Sequence, residues 1–344
     1  MILNNVRYIK HTIFCLIIFS NTCFGKEFDK LFQVYEPIEN ASQIEKSINN
    51  SFNTMVYRLS GKESPSNVWK IINAGNLRKD FIISYSIKNF ENKSFLEVNF
   101  DKNLLVEKFN ELSIPLIGNS RPVILFLINI DSGSAKPYFL TQSQSKSEID
   151  LLIKNYLKET TLSRAVFLEL PELDLFDINE LKNYKKLINS RKFFDDKYIF
   201  DELIIIDVAK IGISEWSSNG DIKFNSDNEN FINIFMEKFI NLTDDLIDRL
   251  LNNSLIDTTQ RSLVNISIKN VSTYQDYQKS KEVIESLIGA KDININKFNI
   301  DTIHYQLEVY GNLNSFIKEV SENNFLEIIN IYDESSSLEL GYKK

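Results

Sequence analysis

The sequence predicts a multidomain protein in which α/β and α+β units follow one another along the chain. Its 344 residues exceed the roughly 250–300 residues that one hydrophobic core usually serves. Apolar runs with strand periodicity and helix periodicity alternate along the chain. Hydrophobic residues make up 43% and charged residues 25% of the total, which is typical of a globular chain and excludes a disordered or fibrous one.

Residues 1–25 have the order of a secretory signal peptide. Arg7 and Lys10 precede an apolar run of about eight residues, and small and polar residues lead to Gly25. A membrane span needs about 20 apolar residues, so the run is too short for a permanent anchor. We expect cleavage after Gly25 and a periplasmic location. The alternatives are an uncleaved signal that anchors the chain in the membrane and a lipid attached to Cys23.

The expected mature chain is acidic and has no cysteine. The two cysteines of the sequence, Cys15 and Cys23, both lie in the signal segment, so disulfides cannot hold the mature fold. Without Arg7 and Lys10, 37 of the 39 basic residues remain against 47 acidic ones, a net charge of −10. This charge disfavours nucleic acid as a partner, because phosphate binding requires a basic surface.

Residues 26–117 form the first predicted domain, a small α+β unit of order βααββα. Its predicted elements are a strand at 31–38, a helix at 41–59 ended by Gly61, a short helix capped by Ser66, strands at 81–87 and 95–100, and a helix capped by Asp101. One class of KH domain has the same order. The KH clamp requires GXXG, whereas residues 61–64 are GKES, so RNA binding is not expected.

Residues 118–256 form a predicted α/β domain around a central strand at 122–130. Residues 123–128 are all apolar, which is typical of a strand covered on both faces. The predicted elements that follow are a helix at 147–157, a strand at 164–170, a helix at 177–188, a strand at 203–216, a hairpin turn at 218–221 with a return strand at 222–224, and a long amphipathic helix at 227–251.

Residues 260–332 form a predicted ferredoxin-like domain of order βαββαβ. Its predicted elements are a strand at 263–271, a helix at 273–288 capped by Gly289, strands at 293–300 and 302–310, a helix at 312–320, and a strand at 325–332. Residues 333–344 are acidic, then serine-rich, then basic, and we expect them to be a flexible tail.

The sequence excludes the common glycine-based and histidine-based catalytic sites. The closest two of its 10 glycines are eight positions apart, so the Rossmann, P-loop, kinase and GxSxG motifs are absent. His304 is the one histidine left after signal removal, and strand alternation predicts that it faces solvent. A single histidine cannot build a centre of two or three histidines, and we expect no cofactor and no metal.

The segment 169–177 holds the acidic residues with catalytic potential: Glu169, Glu172, Asp174 and Asp177. Two carboxylates about 5–9 Å apart can hydrolyse a glycosidic bond. Pro171, however, places the segment in a turn before a helix that Asp177 is predicted to cap, where acids stabilise the helix dipole. The cluster therefore predicts a helix start first and a hydrolase site second.

Five residues are candidates for a structural or interface role. Arg58 and Gly61 lie at a predicted helix C-terminus, where a cation and a left-handed glycine satisfy the last carbonyls. Asn119, Arg121 and Pro122 lie in a short, proline-bounded linker between the first two domains, which restricts their relative rotation. We expect the Arg121 side chain to be partly buried between these domains and paired with a carboxylate or with carbonyl groups.

Several segments form a pattern that is found in a known family. They are the strand at 31–38 after the signal, the helix end YRLSG at 57–61, the run 95–100, and the linker LSIPLIGNSRP at 112–122 before a buried strand that ends in Asp131. Together they resemble the domain of unknown function 2066 family, uncharacterised exported proteins of Gram-negative bacteria. The resemblance departs from the family at the serine between Asn119 and Arg121. It implies an envelope location and carries over no catalytic residue.

The function expected from these features is that of a soluble, non-enzymatic periplasmic protein. Such a protein would bind other envelope proteins as an interaction or assembly module, with membrane contact only through an uncleaved signal. One alternative is a carboxylate-based hydrolase that acts on cell-wall or surface glycan. Another is a carrier of a small molecule or lipid, which would require a closed apolar cavity of at least about 300 Å³.

Overall fold

The computed structural model describes residues 26–343 apart from 29, 63, 91, 92, 135, 144 and 187–189. The signal peptide expected at 1–25 therefore lies outside the described residues. The described chain is a multidomain mixture of helices with antiparallel and mixed sheets, which confirms the predicted fold class. Every helix in these ranges is too short or too polar to cross a membrane.

The first part of the chain is an antiparallel sheet packed against helices. Its elements are β1 (Lys26–Glu27), β2 (Gln33–Ile38), α1 (Ile44–Ser60), α2 (Pro65–Asn73), β3 (Ile82–Phe90), β4 (Lys93–Phe100) and α3 (Lys102–Glu111). The strand order β2-β4-β3 leaves β3 at an edge. The order βααββα is as predicted, but Ser64 rather than Ser66 caps α2, because Pro65 suits the first helical position.

The linker is held by strands from both sides. It contains β5 (Leu116–Ile117) and β6 (Ser120–Arg121). Strand β6 pairs with β1, and β5 pairs with β13 (Leu255–Ile256), which follows much later in the chain. Strand β1, at the start of the described chain, and strand β13, which precedes the third part of the chain, therefore both lie against the linker.

The second part of the chain is a six-stranded mixed sheet around β7. Its elements are β7 (Val123–Asp131), β8 (Tyr138–Phe139), α4 (Glu148–Arg164), β9 (Phe167–Glu169), α5 (Leu175–Lys186), α6 (Ser190–Asp195), β10 (Glu202–Lys210), β11 (Glu215–Gly220), β12 (Phe224–Asp227) and α7 (Phe231–Asn252). Strand β7 pairs in parallel with β9 and with β10. Phe126 packs with α7 on one face, and Leu127 lies in a separate core with α5 and α6 on the other.

Two predicted elements of this sheet differ from the structure. The strand expected at 164–170 is limited to β9, because α4 continues to Arg164 and Ala165 ends it in a left-handed conformation. The strand expected at 203–216 is two strands, since the chain reverses between β10 and β11. The hairpin turn predicted at 218–221 is misplaced, since Ser218–Gly220 belong to β11 and pair with β10. The chain turns after Gly220, where Asp221 bonds back to Ile205, and the return strand starts at Phe224.

The third part of the chain has the predicted βαββαβ order and one additional strand. Its elements are β14 (Arg261–Lys269), α8 (Tyr274–Ser286), β15 (Ala290–Asn299), β16 (Thr302–Tyr310), α9 (Leu313–Ser321), β17 (Leu326–Tyr332) and β18 (Ser337–Tyr342). The strand order is β15-β16-β14-β18-β17. The predicted cap at Gly289 is wrong, since α8 ends at Ser286 with Leu287 in an extended conformation.

The flexible tail predicted at 333–344 is also wrong. Strand β18 lies inside the sheet, parallel to β14 and antiparallel to β17. Leu338, Leu340 and Tyr342 are buried in the core of this sheet. Their spacing of two residues places all three on one face of a strand, which outweighs the polar composition of the segment.

Candidate functional site

Arg121 lies at the centre of the junction between the three larger sheets, those of the first, second and third parts of the chain. Its side chain is completely buried, where the sequence predicts partial burial. Its Nη1 donates a hydrogen bond to the carbonyl of Arg58 at 2.8 Å. Burial lowers the pKa of Arg121 to about 9, so the side chain is still cationic at neutral pH. Arg121 therefore joins the linker to the end of α1.

Arg58 joins three segments through their carbonyl groups. The prediction places it at a helix C-terminus, and the structure shows that its guanidinium reaches beyond its own helix. Its Nε donates to the carbonyl of Leu162 in α4 at 3.0 Å, and its Nη1 donates to the carbonyls of Leu31 and Gln33 at 3.1 and 2.7 Å. Burial lowers the pKa of Arg58 to about 10, and the charge of Glu36 partly opposes this shift.

Gly61 allows a close approach between α1 and the second part of the chain. It caps α1 at φ 70°, as predicted. A Cβ atom at this position would lie 2.2 Å from Cδ1 of Ile117 and 3.4 Å from Cβ of Leu251. The Gly61 carbonyl accepts a hydrogen bond from Nη2 of Arg164 at 3.0 Å. Arg164, also buried, is a junction residue that the sequence did not indicate.

Asn119 and Glu319 attach the third part of the chain to the linker, since the backbone N–H of Asn119 donates to Oε1 of Glu319 at 3.4 Å. Nδ2 of Asn119 donates to the carbonyl of Ser286 at 2.9 Å. The buried carboxylate of Glu319 accepts from the backbone N–H groups of Ile288 and Gly289 at 2.7 and 2.8 Å, and burial raises its pKa. Sequence reasoning missed Glu319, although it follows Phe316 by three residues on the apolar face of a helix.

The five predicted structural residues therefore lie at one junction. Pro122 is buried directly before β7, and its carbonyl accepts a hydrogen bond from Phe167 at 3.0 Å. Lys102 adds a contact that the sequence did not indicate, since its ammonium donates to the last carbonyls of α8. These contacts join elements from all three parts of the chain, and Nε and Nη2 of Arg121 are buried there without a hydrogen-bond partner among the described residues.

The acidic segment borders an open cleft of about 550 Å³ at the carboxyl end of β9. The cleft is lined by Gln142, Glu169, Leu170, Glu172, Lys197 and Tyr198. Two of the four predicted acids, Glu169 and Glu172, thus face a common space. The carboxyl ends of parallel strands are the usual place for ligands in α/β proteins, so this cleft is the position where a hydrolase site would lie.

Two of the four acids of the segment, Glu169 and Asp177, are paired with lysines. Glu169 accepts a hydrogen bond from Lys26 at 3.0 Å. Asp177 pairs with Lys197, which lowers the pKa of Asp177. The predicted helix cap is wrong, because Asp174 accepts the N–H of Asp177 and α5 begins at Leu175. Acid catalysis of glycoside cleavage requires a carboxyl held protonated at neutral pH, and a cation beside a carboxylate has the opposite effect.

Further cavities are lined by residues of the third sheet and of the linker. One of about 430 Å³ is lined by Asn270, Ser272, Asp301 and Tyr342, and one of about 60 Å³ lies beside the linker. Neither of these, nor the cleft, is the closed apolar cavity that a carrier would require. Among the described side chains, no group of three His, Cys, Asp or Glu residues could hold a metal ion. His304 contacts Ser267 and Asn299 on the sheet surface.

Strand β3 exposes large apolar side chains at the edge of its sheet. Ile83, Tyr85 and Ile87 are 68%, 54% and 51% exposed. Tyr85 and Ile87 are the register partners of Val98 and Leu96, which are completely buried. Opposite residues of an antiparallel pair share a face of the sheet. The described helices therefore cover this face at β4 and leave it open at β3.

Two of the other described edge strands, β15 and β2, are better protected against pairing. Proteins protect edges with charges, prolines, bulges or short strands. Strand β15 has three charged residues and two register shifts, and β2 has six residues with Pro37 among them. Strand β3 has nine residues, one charge at Lys88 and one register shift near Ile83. Among the described residues, β3 is therefore an open edge.

Comparison of the chain with protein-family models, with curated proteins and with solved structures gave no match. Its function is therefore inferred from the contacts, burial and charge of its own residues.

Proposed function

We propose that this protein is a soluble, non-enzymatic periplasmic module that binds envelope proteins through β3. The observation that carries the proposal is the uncovered apolar face of this edge strand, with Tyr85 and Ile87 half exposed beside buried Leu96 and Val98. The periplasmic location is supported by the signal-like order of residues 1–25 and by the resemblance to the exported family.

Strand addition explains how β3 would bind a protein. An extended partner segment can pair with the N–H and C=O groups that an edge strand leaves free. Its side chains would then cover Tyr85 and Ile87 and remove their apolar surface from water. Full burial of an exposed apolar side chain of this size contributes about 1.5–3 kcal/mol, and Tyr85 and Ile87, which are 54% and 51% exposed, would each contribute about half of this.

The junction supports this function by fixing the orientation of the first sheet. Arg58, Arg121 and Asn119 each bond to segments outside their own elements. A partner bound at β3 would therefore be held at a defined orientation relative to the other two sheets. This arrangement suits an assembly module, whose role is to orient its partners and not to catalyse a reaction.

Site-specific photocrosslinking in cells tests the proposal. A photoreactive residue at Tyr85 should give adducts with an envelope protein. The matched control is the same residue at Ile295, which is 48% exposed on the protected edge strand β15. Adducts that form equally from both positions, or from neither, would contradict the proposal. Mass spectrometry of the periplasmic fraction tests the location separately, since the mature chain should begin at Lys26.

A hydrolase is the second candidate, because Glu169 and Glu172 share the 550 Å³ cleft. The test is the release of reducing sugar from purified cell-wall glycan by the mature protein. Our first proposal expects no release. Release that is lost in both Glu169→Gln and Glu172→Gln would instead support the hydrolase.

A further inference from the structure

Strand β3 is complementary to itself in antiparallel pairing. A two-fold axis perpendicular to the sheet, midway between the Ser86 residues of two copies, places Tyr85 opposite Ile87 of the second copy, and the pair occurs twice. Aromatic and β-branched residues are favourable cross-strand pairs. The same register places Ser84 opposite Lys88 of the second copy, so no charged residue of β3 faces a like charge.

The charge near β3 also permits this pairing. Lys88 is the one charged residue of the strand, and its Nζ lies 3.9 Å from Oε1 of Glu97 on the neighbouring strand. The protein as a whole carries a net charge of −8, which opposes the approach of two copies in general. A nearly neutral strand edge is therefore a place where two copies can meet with little repulsion.

The pairing would also bring the exposed apolar side chains of the two copies into lateral contact on one face of the sheet. An axis perpendicular to the sheet keeps the helices of both copies on the same side. The two three-stranded sheets would then form one continuous six-stranded sheet, with both Tyr85–Ile87 pairs under the gap between the two sets of helices. An acidic or strongly polar peptide would not bury these side chains equally well.

We infer that the occupant of β3 is a second copy of this chain, paired antiparallel around Ser86. This inference rests on the proposed function, since it names the partner of the same surface. The paired strands span about 30 Å, and a contact limited to one strand edge belongs to the small, transient class of interfaces. The dimer is therefore reversible and depends on protein concentration.

A charge-swap experiment tests both the dimer and its register. The mature wild-type protein should double its mass with rising concentration in light scattering after size exclusion. Tyr85→Lys and Ile87→Glu should each abolish the dimer, because each places a charge against an apolar side chain of the second copy. When the two variants are mixed, the introduced lysine faces the introduced glutamate at one pair and the native pair is retained at the other. The mixture should form a heterodimer.

Ile295→Lys, on the protected edge β15, is the matched control and should dimerise like the wild type. A wild-type protein that stays monomeric at the highest soluble concentration would overturn the inference, as would a dimer that both charge variants leave intact. Crosslinks from position 85 to a different envelope protein, with the protein itself monomeric, would overturn the second copy as partner and leave the proposed function standing. If one charge variant does not fold, loss of the dimer in the other still decides the result.

Discussion

The close approach at Gly61 gives a quantitative test of the junction. In Gly61→Ala, the new Cβ would lie 2.2 Å from Cδ1 of Ile117, well inside the 3.5–4.0 Å of a normal carbon contact. Ile117 is completely buried and belongs to the paired strand β5, so it cannot move into solvent. Overpacking of this kind costs about 1–3 kcal/mol, and the left-handed backbone costs a further 1–2 kcal/mol, roughly, for alanine.

Gly75→Ala is the matched control for the backbone term. Gly75 has φ 89° and has nothing within 4 Å of its ideal Cβ position. The free energy of unfolding of Gly75→Ala should therefore fall by only about 1–2 kcal/mol. The lower entropy of the unfolded chain affects Gly61→Ala and Gly75→Ala alike. The free energy of unfolding should fall by about 1–3 kcal/mol more in Gly61→Ala than in Gly75→Ala.

Urea unfolding of the two variants measures this difference, provided that both keep the wild-type dependence on denaturant. An equal loss of unfolding free energy in the two variants would show that α1 does not press against Ile117. The first and second parts of the chain would then be more loosely joined than the contacts of Gly61 indicate.

Three further predictions concern the junction, the cleft and the last strand. Arg121→Ala should lower the unfolding free energy by about 1–3 kcal/mol more than Arg121→Met, because alanine also leaves a cavity; equal losses in urea unfolding would argue against tight packing there. Since Lys197 lowers the pKa of Asp177, their contribution to stability should be present above the usual aspartate pKa of about 4 and be lost as the pH falls through the lowered value. In Lys197→Met, the free energy of unfolding should no longer show this loss at low pH. A pH profile of unfolding identical to that of the wild type would contradict the role of the pair. Deletion of residues 337–344 removes β18 from the interior of its sheet and should abolish cooperative folding of residues 261–332, whereas an unchanged melting curve would favour a dispensable tail.

Elements with a continuous or periodic apolar pattern could be predicted from the sequence. Strand β7 is apolar at six consecutive positions and is covered on both faces, as expected. Strand β18 was missed, because its apolar residues alternate within a short polar segment. Its place between β14 and β17 depends on contacts with residues far away in the chain.

The candidate sites were only partly predictable for the same reason. The linker position of Arg121 indicated a role between domains, but its carbonyl partner on Arg58 is set by tertiary packing. Glu319 and Arg164 are charged residues whose burial depends on distant backbone groups. The alternation of Ile83, Tyr85 and Ile87 predicts a strand with a covered face. Whether a helix covers that face depends on how far the helices extend across the sheet.

Amide hydrogen exchange of β3 tests the central claim most directly. The mature protein should be compared alone at low concentration and in the presence of envelope extract or of excess mature protein. If β3 is the binding surface, the amides of residues 82–90 should exchange more slowly in the bound sample, while those of the edge strand β15 keep their rate. Unchanged exchange across residues 82–90, under conditions in which the protein is bound to a partner, would show that another surface makes the contact.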